Sequence, residues 1–314
     1  MSDKPEILLT ANLLKSCQDA LDKHFTVHRW YNAPDKKALL AEVAPRIRGI
    51  AASGGGFDAE LYDALPNLEV ISCFGVGYDG VKVDVCKSKN VRVSNTPDVL
   101  TDAMAEITLG LMIALARKIP QTDVYMREGR WGKEGDYPLQ AELTGRLIGI
   151  VGLGRIGKEV ARRAQAFKMR VYYHGRRPQQ FEPYPYFADL TEMAKKVDWL
   201  VSIVPGGAST SRIINAEVLD ALGPEGFFVN VGRGSSVDEA ALLAALKSNT
   251  IAGAALDVFD NEPNADPEFF GLENVVLSPH QGSATEKTRW MMGDLVVRNL
   301  VAHFDGEPLI SPVA

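Results

Sequence analysis

The sequence predicts an α/β protein made of two doubly wound parallel-sheet domains. Three observations carry that reading. Short apolar, β-branched runs alternate with longer stretches of helical periodicity. The strand candidates of the second half are almost continuously apolar, as in sheets covered on both faces. A strongly apolar helical stretch then divides the strands into two series. With 314 residues and 46% hydrophobic content, the chain can bury a core in each domain.

The first series opens with residues 6–10 (EILLT) and a helix-like segment over 11–23, then continues through strands at 26–29, 49–52 and 69–73. Residues 102–117 follow as a helix apolar on most of its circumference, Glu106 excepted, a pattern typical of burial between domains or subunits. The boundary is expected near residues 95–97, where Pro97 opposes a helix. The second series comprises residues 147–151 (LIGIV), 170–173, 199–204, 226–231, 251–256 and 275–278, and a last helix covers 286–304. That helix follows the final strand and is free to return to the first domain.

Composition narrows the function. The 34 Lys and Arg against 40 Asp and Glu give a net charge of −6 with no basic block, which argues against binding nucleic acid. Cys17, Cys73 and Cys86 form no CxxC pair, and such sparse, odd usage suits a reducing compartment. The N-terminal MSDKPEILLT lacks the apolar core of a signal peptide, and the most apolar run, residues 107–116, is shorter than the roughly 18 residues of a membrane span. A soluble, cytoplasmic protein is expected.

After LIGIV comes Gly152-Leu153-Gly154-Arg155-Ile156-Gly157 and a helical run. Strand, glycine turn and helix start are the context that a dinucleotide fingerprint requires. Gly152 permits the turn, Gly154 lets the backbone approach a pyrophosphate, and Gly157 allows close helix packing. NAD-preferring sites place a carboxylate about 20 residues further on, at the end of the next strand. Here that end reads His174-Gly175-Arg176-Arg177-Pro178. With Gly175 in the acidic position and two guanidinium groups after it, a 2′-phosphate is the better match, so NADP(H) is favoured and NAD(H) remains possible.

Ligands of doubly wound sheets bind at the carboxyl ends of the strands. Three later strands are followed by Arg233, by Asp257 with Glu262, and by His280. This set suits carbonyl reduction by hydride. Arg233 can orient a 2-oxo acid through its forked donors, His280 can protonate the developing alkoxide, and Glu262 beside it would favour the imidazolium. No HExxH, CxxC or His-rich spacing suggests a metal.

With these residues in place, the chain resembles the D-isomer-specific 2-hydroxyacid dehydrogenase family. The matching segments are SCFGVGYDGVKVD (72–84), NTPDVLTDAMAE (95–106), VGLGRIG (151–157), NVGRGSSVDEAAL (230–242), ALDVFDNEP (255–263) and SPHQGSAT (278–285). The resemblance implies a Rossmann dinucleotide-binding domain over 99–285 and a flavodoxin-like substrate domain over 1–98 and 286–314. It implies that Arg233 binds substrate, Glu262 tunes the histidine and His280 is the acid/base. It also implies that the backbone amides of Val76 and Gly77 take the substrate carboxylate. Asp257 matches the residue that fixes the nicotinamide carboxamide, while Val204, Pro205, Thr210, Val231, Gly232, Arg233, His280 and Gly282 match positions lining the cofactor. Gly206 and Gly207 depart from the bulkier residues usual there. Family members are typically homodimers, and residues 102–117 match their interdomain and dimer helix.

NTPDVLTD and YYHGRRP look most like the NADPH-preferring glyoxylate, hydroxypyruvate and hydroxyphenylpyruvate reductases; glyoxylate and hydroxypyruvate are the expected substrates, with an aromatic 2-oxo acid such as hydroxyphenylpyruvate as the alternative. A reading from another class is a dinucleotide-sensing interaction protein, because the C-terminal-binding-protein corepressors are similar to this family. Those proteins tend to carry disordered extensions, whereas this sequence reaches SPVA soon after its last helix.

Overall fold

The computed structural model describes residues 4–53 and 61–313. The domain assignment of residues 1–3, 54–60 and 314 therefore lies outside the described residues. The chain divides into two compact units, Met1–Leu100 with Ala284–Ala314, and Thr101–Ser283.

The first unit holds five parallel strands: β1 (Glu6–Leu9), β2 (Thr26–Arg29), β3 (Ile47–Ser53), β4 (Val70–Phe74) and β5 (Arg92–Ser94). Their spatial order is β2-β1-β3-β4-β5, the flavodoxin-like order. Every residue of β4 is buried, as a strand covered on both faces requires. Helix Glu286–Phe304 packs on this sheet, where the Ser72 hydroxyl donates to the Val296 carbonyl at 3.3 Å. A Cβ on Gly293 would stand 2.9 Å from Cys17 Cβ, so this helix and helix Lys15–His24 meet at a glycine contact. Burial pushes the Cys17 and Cys73 thiols up to about 12, and all three cysteines are unpaired.

The second unit holds seven parallel strands: β6 (Leu147–Val151), β7 (Arg170–His174), β8 (Tyr186–Phe187), β9 (Trp199–Ser202), β10 (Phe227–Asn230), β11 (Gly253–Leu256) and β12 (Val275–Leu277). The spatial order β12-β11-β10-β9-β6-β7-β8 is the Rossmann order extended by one strand, with its switch point between β6 and β9. Helix Thr101–Arg117 covers one face, burying Leu109, Met112 and Leu115 against Ile148, Ile150 and Val229. On the other face Met193, Leu219 and Leu242 pack around Leu200, Phe228 and Ala254. Among the described residues no helix is long and apolar enough to cross a membrane.

Four local expectations need correction. The first helix begins at Lys15 rather than at residue 11, because residues 11–14 turn to bury Leu13, with its amide donating to the Ala11 carbonyl at 3.0 Å. Strand β5 is additional to the expected set, being three residues long and followed at once by Asn95-Thr96-Pro97. Strand β8 is a two-residue strand in a proline-rich stretch and is additional as well. Residues 95–96 are bonded within the first unit, Asn95 to Ser311 and Thr96 to Gly75, so the junction falls a few residues later, after Leu100.

Candidate active site

Register sets the geometry of the second unit's upper edge. His174, Val151, Ser202, Asn230, Leu256 and Leu277 are mutual partners across successive strands, so six strands end in one row. The sequence-derived site residues of this unit follow directly on that row.

After β6, Gly152 adopts φ +100 and its amide donates to the His174 carbonyl at 2.9 Å. A Cβ on Gly157 would lie 2.4 Å from the Gly152 carbonyl oxygen, which is why the helix can start so close to the turn. At Gly154, by contrast, a Cβ would meet nothing within 4 Å. Helix Arg155–Ala166 starts there without a side-chain cap, leaving its positive dipole end to an anion. Open space beside a bare helix N-terminus fits the pyrophosphate of a dinucleotide, with Leu153, Arg155 and Ile156 supplying the remaining loop backbone.

After β7, a Cβ on Gly175 would also meet nothing within 4 Å, and Arg176 and Arg177 are exposed. Glu182, the carboxylate that follows them in sequence, is engaged by Lys158 at 2.7 Å. After β9, Val204 is buried and Thr210 donates to the Pro205 carbonyl at 2.6 Å, closing the loop in which Gly207 takes φ +126. Glycines therefore occupy the two departures from the family pattern, and the φ of Gly207 favours one there.

Arg233 is carried by a tightly bracketed turn after β10. The buried Asn230 side chain accepts from the Gly232 amide at 3.1 Å and donates to the Arg233 carbonyl at 2.9 Å, where the Ser236 hydroxyl also donates at 2.7 Å. Val231 is buried beneath this turn, and a Cβ on Gly232 would stand 2.6 Å from the Val204 carbonyl oxygen. The next glycine, Gly234, lies so close to Phe259 that a Cβ would fall 1.9 Å from its carbonyl carbon. The arginine turn and the segment leading to Glu262 thus share a backbone contact.

His280 Nδ1 lies 2.6 Å from Glu262 Oε2, and the other carboxylate oxygen accepts from the Phe259 amide at 3.0 Å. Partial burial opposes ionisation of Glu262. The hydrogen bonds from His280 and Phe259, with the charges of His280 and Arg233, outweigh it and hold the carboxyl below its ordinary value. Side-chain exposures of 49% for His280 and 34% for Glu262 leave the pair accessible to a small molecule. Asp257 is fully buried; its carboxylate accepts from Ser278 Oγ at 2.6 Å and from the amides of Gln281 and Gly282 at 2.7 and 2.8 Å. It thereby fastens the loop bearing His280.

Val76 and Gly77 lie in the first unit, after β4. Gly75 takes φ +140, its amide donates to Thr96 Oγ1 at 2.9 Å, and Asn95 Nδ2 donates to the Val76 carbonyl at 2.8 Å. Sequence reasoning missed these brackets, and it also missed Asn230, Ser236 and Ser278. A polar residue at the end of a buried strand was the available signal. Among the described residues no group of three or more His, Cys, Asp or Glu side chains is gathered to hold a metal.

Comparison with known proteins agrees with this geometry. Residues 109–282 match the family model described as D-isomer specific 2-hydroxyacid dehydrogenase, NAD binding domain. The chain is 46% identical over 308 residues to a hydroxyphenylpyruvate reductase of Plectranthus scutellarioides, covering 98% of each. It is 42% identical to a glyoxylate/hydroxypyruvate reductase of Arabidopsis thaliana, again covering 98% of each. Among solved structures, an NADPH-dependent glyoxylate/hydroxypyruvate reductase from Sinorhizobium meliloti, in complex with NADP and malonate, superposes with a TM-score of 0.93 at 43% identity, covering 99% of this chain and 97% of that one. This chain belongs to the D-isomer specific 2-hydroxyacid dehydrogenase family and is an enzyme of the 2-oxo acid reductase kind.

Proposed function

We propose that the protein is an NADPH-dependent reductase of small 2-oxo acids, glyoxylate and hydroxypyruvate, yielding the 2-hydroxy acid, of D configuration where carbon 2 is a stereocentre. The observation that carries this reading is the 2.6 Å contact of His280 Nδ1 with Glu262, beside the Arg233 turn and on the same sheet edge as the glycine loop. An ionised Glu262 takes the Nδ1 proton of His280 in a hydrogen bond, which leaves Nε2 to hold the proton that is transferred. Arg233 orients the substrate through its guanidinium. The nicotinamide cofactor, when bound, supplies the hydride that adds to the carbonyl carbon. His280 then delivers its Nε2 proton to the carbonyl oxygen, and the hydroxy acid is complete.

In the first unit, Val76 and Gly77 are the candidates for the substrate carboxylate: with the Val76 carbonyl held by Asn95, their amides have no acceptor among the described residues. For the cofactor, Arg176 and Arg177 suit a 2′-phosphate, and no carboxylate stands at the end of β7 to favour a free ribose hydroxyl. Asp257 and Gly282 are the candidates at the nicotinamide end. A homodimer is supported by a run of exposed apolar side chains, Ile119, Val124, Met126, Trp131 and Leu139. Three unpaired thiols favour the cytoplasm. The 46% identical hydroxyphenylpyruvate reductase supports a second substrate reading, an aromatic 2-oxo acid.

His280→Ala tests the mechanism. Turnover is expected to fall by about 10²–10⁴-fold, the usual loss for a general acid, while NADPH affinity measured by fluorescence titration is retained. Loss of cofactor affinity together with turnover would contradict the assignment and make His280 structural.

A further inference from the structure

We propose that Gln179 is a positioning residue for cofactor choice, fastening the arginine-bearing turn after β7 to the glycine loop after β6. The inference rests on the NADPH reading and extends it from the charged groups to what holds them in place.

The turn is stapled at both ends. On entry, the Tyr186 hydroxyl donates to the Gly175 carbonyl at 3.0 Å. On exit, the Gln179 amide donates to the hydroxyl of buried Tyr173 at 2.7 Å, and Gln179 Nε2 donates to the Leu153 carbonyl at 2.6 Å. Arg176 and Arg177 lie between these staples, and both are exposed. Leu153 stands between Gly152 and Gly154, so one amide side chain joins the seat for the pyrophosphate to the seat for the 2′-phosphate.

The tie has a selective consequence. A dinucleotide without a 2′-phosphate depends on the glycine loop, which keeps its own anchor through the Gly152 amide and the His174 carbonyl. A phosphorylated dinucleotide also needs the two guanidinium groups at a fixed reach. Loss of the Gln179 side-chain tie to Leu153 leaves the exit of the turn held by the backbone amide bond to Tyr173 alone; binding must then order the turn further against the glycine loop, and only the phosphorylated ligand bears that cost.

Fluorescence titration of NADPH and NADH with the full-length protein tests this. Gln179→Ala, and Gln179→Met as a second variant of matched length, are expected to weaken NADPH about three- to tenfold, the range of one lost hydrogen bond, while leaving NADH affinity in place. Retained NADH binding also reports an intact fold. In an Arg176→Ala/Arg177→Ala background, Gln179→Ala should have no further effect on NADPH. Equal weakening of both cofactors, or none of either, would overturn the proposal. If the double arginine variant binds NADPH as the parent does, the NADPH reading itself fails, an outcome that the background measurement separates from failure of the Gln179 tie.

Discussion

His280 holds its backbone at φ +53, in the left-handed region that few residues other than glycine occupy, histidine being with asparagine and aspartate among those that tolerate it best. Its amide donates to the Asp257 carbonyl at 2.8 Å, and the Asp257 carboxylate grips the residues on either side, so the surrounding loop enforces the conformation. The partner carboxylate carries a pH signature. Glu262 ionises below its ordinary 4.5 in the folded protein, so the stability that its ionised form adds is present above 4.5 and is lost as the pH falls through the lowered value. Thermal unfolding of the wild type and of Glu262→Gln should therefore differ near neutrality and converge on acidification below 4.5. A difference that widens on acidification would contradict the pairing. Arg233, Glu262 and His280 were legible as residues because each follows a recognisable strand. Asn230 and Gln179 were not, since their roles lie in backbone carbonyls that only the folded turn brings within reach.

At the level of elements, the six-strand row explains why distant segments supply one site. Parallel pairing levels the strand ends, and the loops that leave them are packed backbone to backbone. Gly234 is the tightest of these contacts. Gly234→Ala would place a Cβ 1.9 Å from the Phe259 carbonyl carbon and 2.2 Å from the Asp260 amide nitrogen, so both the Arg233 turn and the Glu262 segment must shift. Overpacking of this kind costs about 1–3 kcal/mol. Differential scanning calorimetry should record a lower Tm, and kcat/KM should fall with it, whereas Gly271→Ala, with nothing within 4 Å of the new Cβ, serves as the neutral control. Unchanged activity in Gly234→Ala would mean that the two loops are not coupled. The long apolar strands and the two long helices were readable from periodicity. Strands β5 and β8, three and two residues long, are too short to display any.

Across the whole molecule, the −6 net charge describes the surface and not the site. Arg176, Arg177 and Arg233 all follow strands of one sheet edge, where an anionic cofactor and an anionic substrate find cations despite the overall acidity. Two sheets, each with its own core, were foreseeable from the two series of strands, and their different types from the family resemblance. Which 2-oxo acid fits was not, because pocket shape depends on several loops that sequence periodicity does not describe. The reduction chemistry and the cofactor preference meet in one assay: steady-state oxidation of NADPH and of NADH with glyoxylate, hydroxypyruvate and hydroxyphenylpyruvate as acceptors. Turnover of glyoxylate and hydroxypyruvate with a higher kcat/KM for NADPH than for NADH is the predicted result; no turnover with any of these acids, or NADH used as well as NADPH, would contradict it.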